Sequence, residues 1–176
     1  MKNQTRFLTI SLMLISLASF AQRPDFSAKC KEEMTKLSYL VGDWQGEAIV
    51  NERGTQRKIS QTEHIVWEMD GLVLSIKGTG REGDAVSFQA FAIVNFDPAD
   101  QQFKLKSYVK EGFSTNAYFK IMEANKFEWG FDIPAGGKSK YTITLDPEKK
   151  TWYEVGEYSR DGSQWFPFIQ MNLVKQ

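Results

Sequence analysis

A single cysteine, Cys30, and a single histidine, His64, leave this sequence short of the residues from which many sites are built. One cysteine excludes an internal disulfide, so Cys30 is a packed residue, a free thiol or a bridge between chains. One residue of each kind also excludes a zinc site of the His/Cys type. No G-x-S-x-G segment is present, and a lone histidine argues against a Ser-His-Asp arrangement. No EF-hand spacing of carboxylates is present either. Charge of one sign is missing: 22 basic residues stand against 22 acidic ones. Without a basic stripe there is no electrostatic footprint for nucleic acid or an anionic membrane. Only one long apolar run exists, from Phe7 to Phe20, preceded by Lys2 and Arg6 and followed by Ser19-Phe20-Ala21. That pattern predicts a signal peptide over 1–21, export to the periplasm or beyond, and no membrane anchor after cleavage.

Aromatic residues are plentiful at 14%, which favours strands and large internal contacts. After a leader from Gln22, the spacing of Met34, Leu37, Leu40 and Val41 predicts a short helix over 27–40, with Ser27 as its N-cap. Residues 22–43 then form a leader and capping helix, and 44–176 form the main domain. Within it, alternation and turn chemistry place about ten strands, at 44–51, 57–68, 72–80, 85–96, 103–109, 113–122, 127–133, 138–145, 152–159 and 165–174. Every connection is short, Asp70-Gly71 among them, so neighbours in sequence are neighbours in space. A meander this long curls and closes, which predicts an all-β, antiparallel, up-and-down barrel wide enough for a cavity. Gly78 to Gly83 spells G-x-G-x-x-G, but it runs from strand to strand and offers no helix N-terminus, so it reads as a hairpin.

Period two assigns the faces. Val86, Phe88, Ala90, Ala92, Val94 and Phe96 share one face, as do Phe127, Trp129, Phe131 and Ile133, and Tyr141, Ile143 and Leu145. Two strands break the apolar pattern. Ile59, Ile65 and Trp67 share a face with Gln61 and Glu63, and Trp152 and Tyr158 share one with Glu154. A carboxyl inside a barrel is costly unless it is bonded, paired or wet. Either a bulge or a Lys or Tyr partner accommodates these two, or they belong to a site.

Gly42-Asp43-Trp44-Gln45-Gly46-Glu47 resembles the G-x-W-x-G opening of calycin-type barrels, and the layout is similar to nitrobindin-like barrels. Gln61-Thr62-Glu63, Asp70-Gly71-Leu72, Trp129-Gly130-Phe131 and Trp152 to Tyr158 resemble a secreted bacterial family without assigned function. The resemblance implies a lumen for apolar or amphipathic small molecules. Nitrobindin-like barrels hold haem through a His on the closing strand; here that strand offers Gln170, Met171 and Asn172, which disfavours haem. Candidate ligand-binding residues are Trp44, Glu63, Trp67, Phe88, Trp129, Tyr141, Glu154 and Tyr158. Glu63 and Glu154 are also candidates for acid/base catalysis of an isomerisation or hydrolysis, and a filled structural or partner-binding barrel is a third reading. Exposed aromatics among Trp152, Tyr153, Tyr158, Trp165, Phe166 and Phe168 would suggest a homodimer or a membrane-associated surface.

Overall fold

The computed structural model describes residues 24–52 and 54–176; the expected signal peptide lies outside them. Ten antiparallel strands close into one barrel. They are β1 (Gly42–Glu52), β2 (Thr55–Glu68), β3 (Val73–Glu82), β4 (Ala85–Asp97), β5 (Gln102–Val109), β6 (Ser114–Glu123), β7 (Lys126–Asp132), β8 (Lys138–Asp146), β9 (Thr151–Ser159) and β10 (Phe166–Lys175). Each strand pairs with its neighbours in sequence, and β1 closes onto β10 with Gly46 opposite Leu173. This is the up-and-down meander that the short turns predict, and it is consistent with a calycin-like barrel.

The helix is shorter than its periodicity suggests. An α-helix, α1 (Ser27–Thr35), is followed by a separate 3₁₀ turn at Ser38–Leu40. Hydroxyls break it: Thr35 Oγ1 donates to the Glu32 carbonyl and Ser38 Oγ to the Thr35 carbonyl, each at 2.6 Å. Ser27 is the first helical residue rather than the cap, and its amide donates to Asp25 Oδ1 at 2.9 Å. The expected apolar face survives the break. Met34, Leu37 and Leu40 are fully buried, and Cys30 packs beside them.

This segment seals one end of the barrel. Lys29 bonds Gln101 and Lys31 bonds Asp70, tying α1 to the β4–β5 and β2–β3 turns. Tyr39 OH donates to the Pro147 carbonyl in the β8–β9 turn. Behind it stands Trp44, 1% exposed, its indole N–H donating to the Leu40 carbonyl at 2.8 Å. Tyr39 and Trp152 meet Trp44 edge-on, with centroids at 5.9 and 5.4 Å. Lys175 crosses this plug, donating to the Tyr39 carbonyl and lying 5.1 Å from the Trp44 ring centroid. Replacing Trp44 by Phe keeps most of the apolar contact and orphans the Leu40 carbonyl. A loss of about 1–3 kcal/mol in unfolding free energy is expected from denaturant titration.

Candidate functional site

Above the plug the barrel is hollow. A cavity of about 440 Å³ occupies the middle and upper lumen. Its walls are mostly apolar: Ile59, Ile76, Leu105, Phe119, Ile143 and Met171 face in. Arg57, Glu82 and Phe88 line its upper part and are solvent-exposed, so it communicates with solvent at the end opposite α1. At that mouth Arg57 pairs with both Glu82 and Glu52.

One side is aromatic. Trp129 and Tyr141 are cross-strand partners on β7 and β8 and stack face to face, with centroids 3.9 Å apart and planes 1° from parallel. Phe131 continues the wall on one side, and Phe168 meets Tyr141 edge-on at 5.6 Å. Tyr141 lies flat because Gly156 is opposite it; a Cβ there would come within 2.7 Å of the ring. Burial pushes the Tyr141 phenol up to about 12, so it serves as a neutral hydroxyl.

Both unexpected carboxyls point into this lumen. No bulge turns Glu63 outward: β2 runs in regular register with β1 and with β3 through that position. Among the described residues neither carboxyl has a Lys or Tyr hydrogen-bond partner. Glu154 accepts the indole N–H of Trp129 on Oε1 at 3.1 Å and that of Trp152 on Oε2 at 3.0 Å. Glu63 accepts the Gln61 side-chain amide on Oε1 at 2.7 Å. Among the described residues Oε2 of Glu63 accepts nothing, yet no fully buried side-chain oxygen is left unpartnered, so Oε2 is open to the cavity. Opposite Glu63 on β3 stands Gly78, whose missing Cβ would lie 2.8 Å from both carboxyl oxygens. The glycine of the G-x-G-x-x-G text thus makes room for an acid rather than for a phosphate. Gly78→Ala is expected to displace the carboxyl, a flexible group, with a fold cost of about 1 kcal/mol or less. A shift in the Glu63 titration followed by carbon-13 NMR would register it.

Burial dominates the acidity of both groups. It pushes Glu63 up to about 8, opposed by the Gln61 bond and reinforced by the negative charge of Glu154. It pushes Glu154 up to about 7, opposed by the two indole donors. The two titrate as neighbours rather than independently.

Of the eight candidate site residues, Glu63, Phe88, Trp129, Tyr141 and Glu154 line the cavity together. Trp44 does not; it lies beneath, in the plug. Trp67 packs against the core without lining the cavity. Tyr158 is at the rim, 38% exposed, beside Gly137 of the β7–β8 turn. Sequence reading passes over Phe168 as a lining residue. A register shift between Pro167 and Ile169 in β10 lets Phe168 and Ile169 both line the lumen, against strict alternation. Pro167 beside a run of apolar residues was the available signal. His64 faces outward, its Nδ1 at 2.6 Å from Asp43 Oδ1. Among the described residues no group of three or more His, Cys, Asp or Glu side chains is gathered to hold a metal ion.

The fold and site define a small closed barrel with an amphipathic internal cavity. No protein-family model matches the chain, and no curated protein matches it by sequence.

Proposed function

We propose that this protein binds a small, partly apolar molecule inside its barrel, in the exported setting that residues 1–21 suggest. The observation that supports this most is the hollow lumen itself: about 440 Å³, in the range of small-molecule sites, with an aromatic wall and few, convergent polar groups. A filled structural barrel would pack side chains into that space. The closing strand turns Met171 rather than a His into the lumen, so the His ligation of nitrobindin-like barrels has no counterpart on that strand. A neutral, apolar fluorescent probe such as phenylnaphthylamine tests the reading. One-to-one uptake with quenching of tryptophan emission is expected, weakened at least about tenfold in Trp129→Ala, since that change removes one face of the aromatic wall. Unaltered uptake in the variant would place the probe elsewhere.

A second reading is supported by the open Oε2 of Glu63: a carboxyl protonated near neutrality beside a second carboxyl can work as an acid/base pair on a bound substrate. Turnover abolished in Glu63→Gln with binding retained would favour it; turnover unchanged would remove Glu63 from that role.

A further inference from the structure

The ionisable groups that line the lumen are unevenly distributed. Its ionisable lining groups come from four strands only: Arg57 and Glu63 from β2, Glu82 from β3, Tyr141 from β8 and Glu154 from β9. The other six strands and the 3₁₀ turn contribute none. Among the described residues the one lining cation, Arg57, is at the mouth and already pairs with Glu52 and Glu82. Deeper in, the described lining residues include acids and no Lys, Arg or His.

We infer that the ligand is an amphipathic amine, seated with its ammonium group on the open Oε2 of Glu63 and its apolar body against the Trp129–Tyr141 wall. This rests on the reading of the barrel as a small-molecule site and names the chemistry of its occupant. Three features carry it. Glu63 has an unused oxygen facing the cavity, and an ammonium group supplies three donors. Gly78 leaves that carboxyl its place against the wall. Glu154 is held by two indole donors, an arrangement suited to a carboxylate, and it adds negative charge to the same lumen. An anionic ligand would find no free cation and two acids. A neutral ligand would gain the wall and leave the acids as they are.

Binding is then linked to a proton. The empty site holds the Glu63 carboxyl in its O–H form near neutrality; the ammonium ion stabilises the carboxylate, and the displaced proton leaves to solvent. Affinity for an amine accordingly rises with pH until Glu63 ionises on its own. Among the described residues the charged groups that face Glu63 within the lumen are Glu154, and Arg57 and Glu82 at the mouth, with no internal cation to mask the effect.

The test is a matched series, phenylbutylamine, phenylbutanol and phenylbutyrate, titrated calorimetrically into the full protein at neutral pH. The amine is expected to bind at least about tenfold more tightly than the alcohol, and the acid at least about tenfold less tightly. Titrations in buffers of different ionisation enthalpy are expected to show close to one proton released per amine and none per alcohol. Glu63→Gln should abolish both the preference and the proton release while alcohol binding persists. Equal binding of amine and alcohol would overturn the amine assignment and leave the small-molecule reading standing. Failure of all three to bind would overturn both. Preference retained in Glu63→Gln but lost in Glu154→Gln would move the ammonium to Glu154 and overturn the Glu63 assignment.

Discussion

Gly46→Ala is expected to prevent the barrel from closing. Gly46 lies in the seam where the first strand meets the last, between the pairs Trp44–Lys175 and Ala48–Met171. A Cβ built there would lie 2.0 Å from the Asn172 carbonyl oxygen and 2.9 Å from the Leu173 Cα. Both are backbone atoms of β10, so no rotamer change relieves the clash. One of the two seam strands has to move, and the plug moves with it, because Trp44 and Lys175 hold both strands to the floor. A loss of about 3 kcal/mol or more is expected, a large fraction of the ~5–15 kcal/mol that holds a domain folded. Denaturant titration measures it. Gly112→Ala is the control: its φ of +87° strains any side chain, but nothing lies within 4 Å, so about 1–2 kcal/mol is expected. A Gly46→Ala barrel as stable as the control would show that the seam is not this tight.

The second large effect is a change in how stability depends on pH. The folded barrel keeps the Glu63 proton up to about 8, whereas an unfolded chain releases it near the ordinary value of 4.5. Between these limits the folded state binds more protons, so stability falls as pH rises. Glu154 adds to the fall between 4.5 and about 7. The empty barrel is therefore expected to lose on the order of several kcal/mol between mildly acidic and mildly alkaline solution. The trend reverses in stronger acid, where Asp146 and Asp161, whose backbone N–H partners hold their carboxyls below the usual range, lose those bonds. Glu63→Gln keeps the shape and the bond with Gln61 and removes the charge. It is expected to flatten the fall and to raise stability on the alkaline side by a few kcal/mol, read as unfolding midpoints across pH. Glu154→Gln should return less. Its amide accepts from one indole but presents N–H groups to the other, leaving one donor unpaired. A Glu63→Gln profile parallel to that of the parent would mean that Glu63 is already ionised in the folded state.

Much of this arrangement is legible in the residues alone. Turn chemistry and period two are local properties, so strand number, order and the inward sets of β7 and β8 follow directly; in β4 a register shift beside Gly80 and Arg81 breaks the alternation, so the expected inward set holds from Phe88 to Phe96 while Val86 is exposed and Ser87 lines the cavity. The same parity puts Glu63 and Glu154 inside, and the structure agrees. What alternation does not carry is depth. Trp44 and Glu63 are cross-strand partners and both face inward, yet one is in the plug and the other lines the cavity. Depth depends on strand stagger around the closed barrel, which only the full set of registers fixes. Tyr158 has the parity of Glu154 but reaches the rim for the same reason. The partners of the carboxyls were hidden as well. Trp152 is two residues from Glu154, but Trp129 is 25 away and Gly78 finds Glu63 only across a ladder.

Native mass spectrometry of the protein after incubation with a complex small-molecule extract tests the central claim most directly. The account predicts a single noncovalent adduct per barrel, absent from the denatured spectrum and diminished in Trp129→Ala. A bare mass under every loading condition, with the parent and the variant alike, would contradict it.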